Sequence, residues 1–178
     1  MKVLIINGSP RINGNTSIAI DEMVKTFHAE SVETDIVQVG NKDVRGCIAC
    51  GQCAKAGKCV FNDIVNEIAP KFEEADGLVV ASPVYYASAN ATLIAVLDRL
   101  FYSTHFDKTM KVGASVVCAR RGGCTATFDE LKNILRSPIC RSLPASTGTA
   151  SMGGSRDRQT WMRKGNRQCV FLQGTCHF

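Results

Sequence analysis

Four cysteines stand within thirteen residues: Cys47-Ile-Ala-Cys50-Gly-Gln-Cys53 and, after five more positions, Cys59. Thiols so crowded are either a ligand set or a reactive group. Structural zinc usually draws two separated knuckles, whereas a compact C-x2-C-x2-C run is closer to 4Fe–4S ligation. Bacterial ferredoxins bring the fourth cysteine sooner and follow it with Pro, so the match is incomplete. A loop of reduced thiols packed at a dimer interface is the plainer reading. Spacing leaves both open.

A second stretch with chemistry is Gly8-Ser9-Pro10-Arg11-Ile12-Asn13-Gly14-Asn15-Thr16. Ser9 and Thr16 offer hydroxyls, Asn13 and Asn15 amides, and Arg11 a charge. A helix opening at Asn15 would add its free N–H groups, a set that suits a phosphate. No Lys follows Gly14, so this is not a Walker A loop, and the glycines do not fall as G-x-G-x-x-G. A terminal phosphate held without a required Lys or Mg²⁺ fits FMN better than ATP. An ordinary Gly-rich turn into a capped helix is the simpler alternative.

The elements that must position these groups alternate. Val3–Ile6 is a continuous apolar run, as a parallel strand buried on both faces requires. Asn15-Thr16 supplies capping chemistry for a helix to about Phe27. Glu33–Val39 reads as a second strand, and residues 40–62 as a long Cys- and Gly-rich connection. Asp63 caps a helix to about Glu74, with Pro70 implying a kink or a late start. Leu78–Ala81 is a third strand ending at Ser82-Pro83. Asn90–Tyr102 is a helix, Val112–Cys118 a fourth strand, and Thr125–Leu131 opens another helix. This alternation implies an α/β doubly wound parallel sheet, with ligands at the carboxyl ends of its strands.

The net charge of +5 resides in one segment. Residues 132–178 carry eight Lys/Arg and one acid, Asp157, while residues 1–131 carry 13 basic and 15 acidic residues. The basic balance therefore does not argue for nucleic acid. No apolar run approaches a membrane span. The opening strand is too short for a signal peptide, and the expectation is a cytoplasmic protein with reduced thiols. His28 and His105 read as surface or helix-end residues, and Cys118 as strand packing. Cys124, beside the loop that follows the fourth strand, fits either packing or the site.

G-S-P-R-x-x-G-N-T after an N-terminal strand resembles the phosphate loop of the NADPH-dependent FMN reductase and iron–sulfur flavoprotein families, which are flavodoxin-like. Ser82-Pro83-Val84-Tyr85-Tyr86 is similar to their S/A-P-V-Y loop, and Ala119-Arg120-Arg121-Gly122-Gly123 to the Gly-rich loop after the fourth strand. The resemblance runs through about residue 131. It implies strand order 2-1-3-4-5, with FMN held by residues 8–16, 82–86 and 119–123. Pro83, Val84, Tyr85 and Tyr86 would lie along the flavin ring, and Ala119 to Gly123 would close over it. It implies hydride transfer from NAD(P)H to flavin, then electron delivery to flavin, quinone or another acceptor, a small molecule or redox protein. No catalytic acid or base is required. The C-x2-C-x2-C-x5-C spacing resembles that of the iron–sulfur flavoproteins, whose 4Fe–4S cluster would here fall on Cys47, Cys50, Cys53 and Cys59. A homodimer or homotetramer is implied too. The rivals are an electron-transfer iron–sulfur flavoprotein without a dedicated substrate and a non-catalytic redox sensor built on the cysteines.

From Lys132 the pattern fails. Residues 132–178 are Ser-, Gly- and Arg-rich and hold the lone Trp161, with Cys140, Cys169 and Cys176. A disordered basic tail is one reading. The genetic code offers another. Taking the third base of each codon with the first two of the next, Trp161-Met162 gives Asp. The junctions onward to Phe178 then permit E-E-G-K-Q-T-M-R-V-L-A-R-N-M-S-F, an amphipathic helix with its acids at the N-terminal end. Ser146 to Met152 permits Y-W-N-S-I-H, and Lys132 to Arg136 permits K-Y-F-T. The segment therefore reads as the same domain shifted out of frame by a one-base deletion near the Lys132 codon. The fifth strand is then doubtful in this chain.

Overall fold

The computed structural model describes residues 1–136, 141–142 and 151–152. In chain order these form β1 (Lys2–Asn7), α1 (Asn15–Ala29), β2 (Glu33–Gln38), α2 (Cys53–Ala56), α3 (Ile64–Glu74) and β3 (Gly77–Tyr85). There follow β4 (Ser88–Ala89), α4 (Ala91–Ser103), β5 (Val112–Ala119), α5 (Cys124–Arg136), β6 (Arg141–Ser142) and β7 (Ser151–Met152). The sheet runs β2-β1-β3-β5-β6, with every pair along that path parallel. With the two-residue β4 set aside, this is the expected flavodoxin-like order 2-1-3-4-5. The fifth position holds two short segments, β6 beside Val112 and Gly113 and β7 beside Cys118 and Ala119.

Strand alternation divides the core in two. Leu4, Ile6, Leu78, Val80 and Val117 pack with α3, α4 and α5 through Phe72, Val96, Leu97, Leu131 and Leu135. Val3, Ile5, Val79 and Val116 face the other way, against Ile20, Met23, Val24 and Phe27 of α1. Both faces of the strands are thus covered, which is why they read as unbroken apolar runs.

Three boundaries differ from expectation and one agrees with it. Asn15 does not cap α1; Gly14 takes the N-cap place, with no side-chain hydrogen bond. Asp63 does cap α3, accepting the Val65 N–H at 3.1 Å, and the helix starts at once with Pro70 inside it. β3 runs past Ser82-Pro83 to Tyr85, because it continues as one arm of a hairpin with β4. α5 passes through Lys132 to Arg136 and buries Leu135. The rest of the segment read as out of frame, apart from β6 and β7, lies outside the described residues.

Candidate functional site

β1, β3 and β5 are parallel neighbours, so the loops that follow them meet at one edge of the sheet. The first loop is held by buried polar contacts. Gly8 N–H donates to Ala81 C=O at 2.7 Å, and Asn90 Nδ2 donates to Gly8 C=O at 2.6 Å. Ser9 N–H donates to Asn7 Oδ1 at 2.9 Å, and Gln38 Nε2 donates to Ser9 C=O. A Cβ on Gly40 would collide with the backbone of Gly8 and Ser9, so that strand-end loop closes on the phosphate loop only as glycine. Gly8 has the same constraint, since its Cβ would stand 2.8 Å from Leu93 Cβ.

Ser9 and Thr16 are buried, Asn15 is half-buried, and Arg11 and Asn13 project to solvent. The first turn of α1 carries neither a capping side chain nor an acid. Its leading N–H groups and the positive end of its dipole are therefore left for an anion. This fits a terminal phosphate; Asn15 does not cap because it is itself the first helical residue, one place past the N-cap.

The second loop is the β3–β4 hairpin. Pro83 and Val84 are half-buried, whereas Tyr85 and Tyr86 are exposed, Tyr86 completely. Ser82 Oγ accepts the Asn90 N–H at 2.9 Å, and Asn90 Oδ1 caps α4 through the Thr92 N–H at 3.0 Å. Asn90 therefore ties the hairpin, the phosphate loop and the start of α4 together. In the third loop Ala119 is buried, Arg120, Arg121 and Gly122 are exposed, and Gly123 stands against Ala87 and Val84. Burial pushes the Cys124 thiol above its ordinary value. The exposed aromatic pair, the two Arg side chains and the uncapped helix start thus all follow the carboxyl ends of adjacent parallel strands, and the residues present fit a flavin mononucleotide.

A profile of the NADPH-dependent FMN reductase family matches residues 1–156. The chain belongs to this family. It is 34% identical over 158 residues to an iron-sulfur flavoprotein of Methanocaldococcus jannaschii, covering 87% of this chain and 82% of that one. It is 38% identical over 135 residues to the iron-sulfur flavoprotein of Methanosarcina thermophila, covering 74% and 71%. The crystal structure of RosB with a bound formylated riboflavin phosphate intermediate superposes with a TM-score of 0.70 at 20% identity, covering 93% of this chain and 72% of that one, and shows the fold. The family match carries the resemblance past residue 131. As a member of the FMN reductase family the chain is a flavin-dependent redox protein.

The cysteines are arranged differently from a finished metal site. Cys47 and Cys50 are exposed, and Cys53 and Cys59 are half-buried. Among the described residues no three Cys, His, Asp or Glu side chains are gathered to hold a metal ion. Cys47 Sγ accepts the neighbouring Ala49 N–H, at 3.4 Å, whereas Cys59 is held by residues from two helices. Asn66 clips its backbone, accepting the Cys59 N–H and donating to its C=O, both at 3.0 Å. Its sulfur accepts Arg99 Nε–H at 3.2 Å. Arg99 is 1% exposed and uses all its donors there: the other N–H groups reach Asp63 Oδ1 and Oδ2 at 2.8 and 2.7 Å and the carbonyls of Arg45 and Phe61. Burial opposes its charge, but the bonds to Asp63 and Cys59 outweigh this and hold the guanidinium above its ordinary value.

His28 and His105 are exposed, as expected, and buried Cys118 packs within the sheet core. Sequence reasoning missed Asn7, Gln38, Gly40, Asn90, Arg99 and Glu130, which act on the loops from other elements. Asn90, a polar residue just before an apolar helix, is the one with a readable signal.

Proposed function

We propose that this chain is an FMN-dependent NAD(P)H oxidoreductase that passes electrons to a flavin, a quinone or a small redox protein. The observation that carries the reading is that the loops after three adjacent parallel strands lie at the end of the sheet where the uncapped, acid-free α1 begins. Bound FMN would supply the redox chemistry, taking hydride from the nicotinamide and delivering electrons onward. The chain's own part is to bind and orient. The α1 N–H groups, Ser9, Asn13, Asn15 and Thr16 would hold the phosphate, with Arg11 adding charge. Pro83 to Tyr86 would lie along the ring and Ala119 to Gly123 would cover it, as the family resemblance implies, with Arg120 and Arg121 available to the anionic nicotinamide cofactor. No acid or base is assigned, since flavin reduction needs none.

The test is reconstitution with FMN, followed by anaerobic addition of NADH or NADPH. Quenched flavin fluorescence and bleaching of the visible flavin band support the reading. A protein that neither retains FMN nor bleaches it refutes it. The expected assembly is a homodimer or homotetramer in the cytoplasm, and light scattering of the purified protein checks the first.

A second reading rests on the four cysteines and on relatives named iron-sulfur flavoproteins. Cys47, Cys50, Cys53 and Cys59 supply four thiols of the right chemistry for a 4Fe–4S cluster, although the described loop does not gather them. Iron and acid-labile sulfide assays on anaerobically purified protein decide it, and their absence leaves the flavin reading intact.

A further inference from the structure

The turn that presents Tyr86 is strained. Tyr86 and Ala87 alone join β3 to β4, and both have positive φ, 51° and 62°. Two-residue hairpins of this kind favour Asn-Gly, because a residue with a Cβ costs about 1–2 kcal/mol in the left-handed region. Neither residue suits the turn, and such strain persists only where the surroundings over-determine it. The surroundings here are α5 and the loop before it. The Glu130 carboxylate accepts the Ser88 hydroxyl at 3.1 and 3.0 Å and the Ala89 N–H at 2.9 Å. Gly123 backs the turn so closely that a Cβ on it would lie 2.8 Å from Ala87 Cα.

We propose that Glu130 is a positioning residue of the flavin site: from α5 it holds the Tyr85–Ser88 turn in its left-handed form and thereby fixes where Tyr86 stands. The proposal rests on the FMN reading above. Glu130 acts on the ring only through the turn. Its effect therefore depends on the strain at Ala87, which a purely structural carboxylate would not share.

The experiment compares Glu130→Ala, Glu130→Gln and the double variant Glu130→Ala/Ala87→Gly with wild type. It reads FMN affinity by fluorescence and, without flavin, hydrogen exchange at the Ala89 amide. Glu130→Ala is expected to weaken FMN binding about tenfold and to speed Ala89 exchange at least about tenfold. Glu130→Gln keeps one acceptor oxygen and should stay within about threefold of wild type. Adding Ala87→Gly removes the strain and should restore affinity to within about threefold. Unchanged affinity in Glu130→Ala, or no recovery with Ala87→Gly, overturns the proposal. If Glu130→Ala does not fold, Ser88→Ala removes the hydroxyl arm of the clamp, leaving the Ala89 N–H bond, and a smaller loss in the same direction is expected in its place. If wild type binds no FMN, the cofactor reading fails instead, and Ala89 exchange alone judges the clamp: faster exchange in Glu130→Ala supports it, and unchanged exchange refutes it.

Discussion

Gly40 acts through what it lacks. Its backbone lies on the Gly8–Ser9 backbone, where any Cβ would collide, so Gly40→Ala must push the phosphate loop away from β2. The expected result is a loss of about 1–3 kcal/mol in stability, as for overpacking, together with a weaker hold on FMN. Urea denaturation and flavin titration measure the two. Cys124 gives a pH signature. Its thiol is held above the ordinary value of 9.0 by burial, so the folded state keeps a proton that the unfolded state sheds. That contribution is complete below pH 9.0 and is lost as pH rises through the higher folded value. Unfolding measured across this alkaline window should show a slope that Cys124→Ala flattens. The loops of the candidate site were legible in sequence because hydroxyls, amides and arginines follow strands. Gly40 and Gln38 were not, because nothing local says that the end of β2 folds onto the loop after β1.

α4 is the element that joins the two halves of the site. Its N-cap, Asn90, holds the phosphate loop, and Arg99 two turns on holds Cys59 and Asp63. Asp63→Asn leaves the Arg99 charge buried and half-partnered, and breaking a buried pair of this kind costs about 3–5 kcal/mol. Asp63 is 26% exposed at its side chain, which places the expectation at the low end of that range. By contrast Glu22→Gln, in an exposed pair with Lys25, should change stability by less than about 1 kcal/mol. Chemical denaturation of both variants is the check, and equal losses would refute the role given to Arg99. The apolar face of α4 was readable from its periodicity. The role of Arg99 was not, since a charged residue among apolar ones usually marks the solvent side, and only the fold shows five donors converging on partners from residues 45 to 63.

Across the whole molecule the described core is unequal: three helices, α3, α4 and α5, pack on one face, and α1 alone among the described helices on the other. A doubly wound sheet ordinarily has helices on both faces. The shifted frame of residues 161–178 permits one more amphipathic helix, and we propose that the restored frame supplies it. The intact mass of protein expressed from the natural gene checks this. A mass equal to the 178-residue sequence means the tail is real, and a chain so made should hold FMN weakly. A mass matching the restored frame, with flavin bands, means an ordinary family member. The strands were legible because each buried one is an unbroken apolar run, and their order followed from the family resemblance of the loops, whereas the fate of the fifth position depends on a tail whose pattern no periodicity describes. The cross-bracing of the phosphate loop also has a consequence for the chain as it leaves the ribosome. Although residues 8–16 emerge early, the Ser9 carbonyl waits for Gln38 and the Gly8 carbonyl for Asn90. A nascent chain arrested before Asn90 has the loop's sequence without its shape, so cofactor capture must follow synthesis of the third strand and its hairpin.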